Sequence, residues 1–369
     1  MDATKGYATK EGTLRFRERL GGRVSPDHFR KLEDLWISSI GFGSYLGTHD
    51  DATDIGYQNA LKHAISLGCN HIDTAINYRF QRSERAIGSA LESGVKEGNF
   101  DRDELIVATK GGYIPFDSQP PPDIRKYFDV NFLEPGIAAL DDIVSGIHCM
   151  TPKYIANQLE TSLENLRLES IDIYYLHNPE EQLRELSREE FNKCILSAFE
   201  LLEKKVSDGN ITMYGTATWN GYREEENHDR SLSLPELVRL AERISGKEHH
   251  FKVIQLPFNL AMPEPLILRN QSLDGESLTV LESARRLGVA VIASSSLLQR
   301  QLTRNLPDFI GQHLRDLDTD AQRAIQFVRS TPGITSALVG MSKKNHVEEN
   351  MGVAKLRPAS MDDIGNLFS

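Results

Sequence analysis

Four side chains able to handle protons stand at the ends of apolar runs. Asp73 and Tyr78 follow Asn70-His71-Ile72, Lys110 closes Leu105-Ile106-Val107-Ala108-Thr109, and His177 closes Ile171-Asp172-Ile173-Tyr174-Tyr175-Leu176. A carboxylate at the end of a buried strand needs a partner, because an unpaired buried charge is costly. The ends of neighbouring strands supply such partners. Singly, each residue has a bland use: Asp as a cap, Tyr as a core aromatic, Lys as a solvated tip, His as a satisfied polar group. Together they form an acid–base set. An ammonium beside the phenol lowers its pKa from about 10, a carboxylate holds the ammonium, and an imidazole donates a hydrogen bond.

The strands that carry these ends recur along the chain. The first reads Trp36-Ile37-Ser38-Ser39-Ile40-Gly41-Phe42-Gly43, and its glycines, with Gly47 beyond, let backbone approach a ligand. Ile55, Leu61, Ala64, Ile65 and Leu67 have helical spacing over 51–67, and Gly68 stops that helix. Ser83 suits an N-cap and Glu84 the positive end of a helix dipole, for a helix over 83–91. Thr151-Pro152 opens a helix through Ile155, Leu159, Leu163 and Leu166, and 188–207 is a further amphipathic helix. Strands are expected at 211–218, 251–256, 289–295 and 334–340, with helices over 234–244, 278–287 and 321–328 between them.

Strands alternating with helices imply a parallel sheet, and eight such units imply closure into a (β/α)8 TIM barrel. Gly41-Phe42-Gly43 lacks the third glycine of the dinucleotide fingerprint, which argues against an open doubly wound domain. One domain is expected over 1–369. Residues 1–36 form an N-terminal extension, and 111–150, with Pro120-Pro121-Pro122, an irregular segment that follows Lys110 and covers the mouth as a lid.

A net charge of -11 argues against nucleic acid and anionic membrane as partners, since both need a basic face. No apolar run has spanning length and the polar beginning does not read as a secretory leader, so a cytoplasmic location is expected. Cys69, Cys149 and Cys194 are odd in number and widely spaced, which indicates neither a disulfide framework nor a zinc site. His148-Cys149 and His249-His250 lack companions at metal-ligand spacing and read as ordinary loop residues; no metal is expected.

The segments IDTAINY, SERAIGSAL, LIVATK and SLENLRLESIDIYYLH, in this order and at these intervals, resemble the aldo-keto reductases. The resemblance implies a barrel whose bottom is plugged by a small hairpin, here lengthened over 14–35. It also implies hydride transfer between NADP(H) or NAD(H) and a carbonyl or alcohol. Tyr78 then gives its proton to the carbonyl oxygen, Lys110 lowers the phenol's pKa, Asp73 holds Lys110, and His177 orients the carbonyl. For alcohol oxidation the same residues run backwards.

By the same resemblance Gln255 and Thr218 are expected at the nicotinamide amide, although Ala217-Thr218 stands where the family has Ser-Asn. Ser295 and Leu297 fit a motif that often carries an aromatic, and the neighbouring Gln299, Arg300 and Gln301 point to the pyrophosphate. Gly340, Ser342, Lys343, Lys344, His346, Glu349 and Asn350 match the segment that receives the adenosine phosphate and adenine. His346 replaces the arginine common in NADP-dependent members, leaving Lys343 and Lys344 to grip a 2'-phosphate. Tyr45 and Trp219 are expected at the substrate. Two other functions fit the same residues: a Schiff-base lyase using Lys110, and a non-catalytic, cofactor-sensing subunit of the kind that some members supply to membrane channels.

Overall fold

The computed structural model describes residues 3–367. Helix α1 (Lys10–Arg19) is capped by Thr9, whose hydroxyl accepts from the Gly12 N–H at 2.9 Å. Strands β1 (Phe29–Leu32) and β2 (Leu35–Ser38) then form an antiparallel hairpin. The hairpin expected over 14–35 is therefore shorter and later, because α1 takes the first part of that segment. The strand expected over 36–43 is divided by a bend at Ser39, and only β3 (Ile40–Gly43) joins the barrel. Leu32, Leu35 and Ile37 of the hairpin pack against Ile106, Ile173, Met213, Val253 and Ile292 inside the barrel. The hairpin thus plugs the barrel's bottom.

The chain continues through α2 (Asp51–Ser66), β4 (His71–Asp73), α3 (Arg82–Lys96), β5 (Ile106–Gly111), α4 (Ile124–Phe128), α5 (Pro152–Leu166) and β6 (Ile171–His177). Then come α6 (Arg188–Ser207), β7 (Ile211–Ala217), α7 (Leu234–Ser245), β8 (Phe251–Pro257), α8 (Glu264–Ile267), and a small hairpin of β9 (Gln271–Leu273) and β10 (Glu276–Leu278). The last elements are α9 (Val280–Leu287), β11 (Ala290–Ser294), α10 (Asp308–His313), α11 (Asp320–Ser330), β12 (Ile334–Gly340), α12 (Lys344–Gly352) and α13 (Met361–Gly365). Strands β3 to β8, β11 and β12 close a parallel barrel in that order.

Strand register explains why chemistry gathers at one end. Asp73 pairs with Ala108, Lys110 with Tyr175, His177 with Ala217, and Ala217 with Gln255. Side chains alternate along a strand, so Ala108 and Lys110 share the inward face, as do Tyr175 and His177. The stagger that closure requires lifts each successive inward residue to the same rim. Between strands and helices the packing is apolar: Tyr154, Ile155, Leu159 and Leu166 of α5 are fully buried. Truncating Leu159 to alanine would cost about 2–5 kcal/mol.

Two local expectations are corrected. The N-cap of α3 is Gln81, in the left-handed region, and Ser83 lies inside the first turn with its hydroxyl donating to the Ser44 carbonyl at 2.7 Å. Glu84 does lie in the first turn of α3, as expected, and is fully buried there, accepting from Thr109 Oγ1 at 2.6 Å and Asn165 Nδ2 at 2.9 Å, so it also brackets β5 to α5. The segment 111–150 is built, not structureless. Its ends are joined by Cys149 N–H to Gly112 O and Ile114 N–H to Ile147 O, both 2.9 Å, and Phe132 packs among Tyr127, Phe128 and Tyr154. Of its side chains, Tyr113 reaches the pocket described next.

Candidate active site

The carboxyl ends of the strands open into a pocket of about 740 Å³. At its floor Lys110 Nζ, fully buried, donates to Asp73 Oδ1 at 2.6 Å and to Thr74 O at 2.7 Å. The second oxygen of Asp73 accepts from Gln255 Nε2 at 2.7 Å. The Lys110 ammonium also lies over the Tyr78 ring, 4.9 Å from its centroid. Tyr78 meets His177 edge-on at 5.9 Å and Tyr45 at 5.0 Å, while Tyr113 meets His177 at 5.1 Å. The four proton-handling residues are one cluster.

Burial pushes Asp73 up and Lys110 down, and their ion pair opposes both shifts. The Tyr78 phenol is held well above its ordinary range, first by burial and then by the negative charge of Asp73. Here the expected lowering by Lys110 fails. The ammonium faces the ring and spends its hydrogen bonds on Asp73 and Thr74, so burial dominates and the phenol is a neutral acid at physiological pH. Burial, then the charge of Lys110, holds His177 well below the usual imidazole value. It is neutral too.

Strained backbone presents Tyr78. Arg79, Phe80 and Gln81 follow with φ of 49°, 57° and 68°, three consecutive left-handed residues, none of them glycine. Such a conformation costs roughly 1–2 kcal/mol per residue and needs outside support. Arg79 supplies it by donating to Asp54 Oδ1 at 2.7 Å and Thr48 O at 2.8 Å; Gln81 Oε1 accepts from Asn165 Nδ2 at 3.1 Å. His177 is braced differently. The His148 ring nitrogen Nε2 donates to the His177 carbonyl at 2.7 Å, while its Nδ1 accepts from Gln182 Nε2 at 2.8 Å. Burial lowers the His148 pKa to about 4, so the expectation of an ordinary loop residue there is wrong.

Away from the floor the pocket brings most of the other expected residues together. Tyr45 and Trp219 border the cluster, Thr218, Gln255, Ser295, Leu297, Gln299 and Arg300 line one wall, and Gly340, Ser342, His346, Glu349 and Asn350 line the far end. Lys343 and Lys344 are not on the wall. Both are exposed, and Lys344 Nζ lies 3.7 Å from Glu348. Arg304 stands on the wall instead, with Asn77, Thr303 and Ser296, all missed from sequence. The nearest signal was the pair of arginines in Arg300-Gln301-Leu302-Thr303-Arg304. Gln255 borders the pocket with its amide N–H committed to Asp73. Gly41 does not approach a ligand: a Cβ there would meet His71 at 2.7 Å inside the barrel.

Several polar atoms on this wall await a partner. Thr218 Oγ1, Ser296 Oγ and Asn77 Oδ1 are buried without a protein hydrogen bond. A Cβ on Gly340, which lines the pocket, would meet nothing within 4 Å. Among the described residues no group of His, Cys, Asp and Glu is placed to hold a metal ion, and no helix is long and apolar enough to cross a membrane.

With this fold and floor in view, the match of residues 39–315 to the aldo/keto reductase family model identifies the class, and the chain belongs to that family. An uncharacterized oxidoreductase of Bacillus subtilis is 24% identical over 356 residues, covering 92% of this chain and 95% of that one. A Schizosaccharomyces pombe protein provisionally named as a beta subunit of a voltage-gated potassium channel is 23% identical over 362 residues, 93% of each chain. Solved structures share the barrel. An aldo-keto reductase from Bacillus halodurans in its holo form superposes with a TM-score of 0.62 at 19% identity, covering 92% of this chain and 95% of that one. An aldo/keto reductase from Klebsiella pneumoniae in complex with NADP and acetate gives 0.60 at 19% identity, with 93% and 94% covered.

Proposed function

We propose that this chain is an NADP(H)-dependent oxidoreductase acting on an aldehyde, ketone or sugar carbonyl, or on the corresponding alcohol. The observation that carries the reading is the phenol of Tyr78 set between Lys110 and His177 at the floor of an open pocket. When bound, the nicotinamide supplies or takes the hydride. Tyr78 gives its phenolic proton to the carbonyl oxygen as negative charge develops there, and takes it back in alcohol oxidation. The Lys110 cation, fixed by Asp73 and Thr74, stabilises the phenolate left behind. His177, neutral and braced by His148, offers a hydrogen bond to the same oxygen.

The partnerless Thr218 and Ser296 hydroxyls and the Asn77 amide oxygen fit a ligand amide, and Gly340 leaves room for one to lie close. Arg300, Arg304 and the amino end of α12, where His346 meets the pocket, fit phosphate. NADP is favoured over NAD because the Klebsiella pneumoniae relative is in complex with NADP.

The test is consumption of NADPH and NADH across a panel of aldehydes, ketones and sugars, with the reverse reaction included. Turnover with NADPH is expected to exceed that with NADH. No turnover with either nucleotide on any substrate would overturn the reading. That outcome, with nucleotide binding intact, would favour a cofactor-sensing role, which the full-length similarity to the channel-subunit relative keeps as a second reading. A Schiff-base lyase is disfavoured, since Lys110 is fully buried and its Nζ is engaged by Asp73 Oδ1 and Thr74 O.

A further inference from the structure

One buried acid organises the side of the pocket that carries the exposed aromatic. Glu180 lies three residues past His177, in the turn Pro179–Arg184, and is 1% exposed. Its Oε1 accepts three successive backbone N–H groups, from Trp219 at 2.8 Å, Asn220 at 3.0 Å and Gly221 at 3.2 Å. These belong to the loop that leaves β7 and brings Thr218 and Trp219 to the pocket wall. Three converging amides would be left without partners if the carboxylate were removed, so the loop's path depends on a residue outside it.

Neighbours of Glu180 reach the other walls. Asn178 donates its backbone N–H to Ala217 O at 2.6 Å and its side-chain amide to the Tyr113 hydroxyl at 2.9 Å, and Gln182 holds His148 behind His177. The stretch 177–182 therefore ties His177, Tyr113 and Trp219 into one assembly.

We propose that Glu180 is a positioning residue that fixes the Trp219 loop as the specificity wall of the pocket, holding the indole where it stacks on ring-bearing carbonyl substrates. The kinetic side of this proposal rests on the oxidoreductase reading; the spectroscopic side does not. The chain has two tryptophans, and Trp36 lies in β2 between Arg17 and Lys31 at the opposite end of the barrel. Trp36→Phe leaves Trp219 as the sole indole reporter.

In that background Glu180→Ala is compared with Glu180→Gln, which keeps an oxygen to accept the three amides. Glu180→Ala is expected to red-shift Trp219 emission and increase its quenching by acrylamide. It should also raise KM for 4-nitrobenzaldehyde roughly tenfold, about 1.4 kcal/mol of binding lost with the displaced indole, with a smaller change for propanal. Glu180→Gln should restore most of both. Unchanged quenching in folded Glu180→Ala would overturn the proposal. Hydrogen exchange on the unmutated chain needs no variant to fold: slow exchange of the Trp219, Asn220 and Gly221 amides supports the proposal, and exchange at the rate of free loop amides overturns it. Altered quenching in a chain that turns over no carbonyl would sink the oxidoreductase reading and leave the role of Glu180 standing.

Discussion

Two buried ion pairs sit at opposite ends of β5, and they do different things. At the bottom, Arg102 meets Asp172 at 2.7 Å; Asp172 also accepts from the backbone N–H of Ala8 and Val107, and Arg102 donates to the carbonyls of Leu105 and Ser170. Every one of those extra bonds goes to main chain, so the pair staples the N-terminal segment and two strands together. At the top, Lys110 meets Asp73 at 2.6 Å, and the remaining bonds reach Gln255 and Thr74, with Tyr78 and the pocket alongside. Burial and charge are alike in the two. What separates structure from chemistry is which end of the barrel opens.

Breaking each pair sharpens the contrast. Asp172→Asn leaves Arg102 buried without its counter-charge and should cost about 3–5 kcal/mol of stability, measured by chemical denaturation, while kcat per folded molecule stays unchanged. Asp73→Asn should do the reverse in emphasis: turnover falls roughly 100-fold or more as Lys110 loses its anchor. A large loss of turnover in folded Asp172→Asn would mean that the two pairs are not separable.

Much of the top end was legible because it depends on strand ends. Asp73, Lys110 and His177 end up on one rim through register and alternation, which short-range sequence pattern reports well; Gln255 joins them there, expected only from the family resemblance. The far end was less so. Arg304 and the lysines differ in whether a loop turns them inward, and Leu298, Gln299 and Arg300 turn through consecutive left-handed φ values of 44°, 50° and 76° that no glycine announces. The same blindness hid the left-handed run Arg79 to Gln81, displaced the cap from Ser83 to Gln81, and made His148 look like loop. Such conformations are imposed by distant partners, and a local pattern does not contain them.

The nucleotide end offers the next-largest effect. Arg304→Ala should weaken NADPH binding by about 1.5–3 kcal/mol, one hydrogen bond to a charged group, and NADH much less, by isothermal titration. Lys343→Ala with Lys344→Ala, both off the wall, should change either nucleotide by no more than about 0.5 kcal/mol. The opposite ranking would return the phosphate to the lysines.

The smallest effect concerns pH. His148 is held neutral in the fold, with its pKa lowered from 6.5 to about 4. The unfolded chain therefore binds the extra proton first, so stability is full above pH 6.5 and declines as pH falls from 6.5 towards 4. His148→Gln should flatten that part of the acid limb in denaturation curves taken across the window. His28 and His71, both lowered from 6.5 to about 3, add slope of the same sign from pH 6.5 down to about 3, so His148→Gln reduces the slope between 6.5 and 4 without abolishing it.

Tyr78→Phe probes the phenol as proton donor most directly, because the phenyl ring keeps the contacts with Lys110, Tyr45 and His177 while losing the acid. Turnover of an aldehyde with NADPH and the NADPH dissociation constant are measured on the same preparation. A fall in turnover of roughly 100 to 10,000-fold is expected, with nucleotide affinity retained. Turnover near that of the unmodified chain would contradict it.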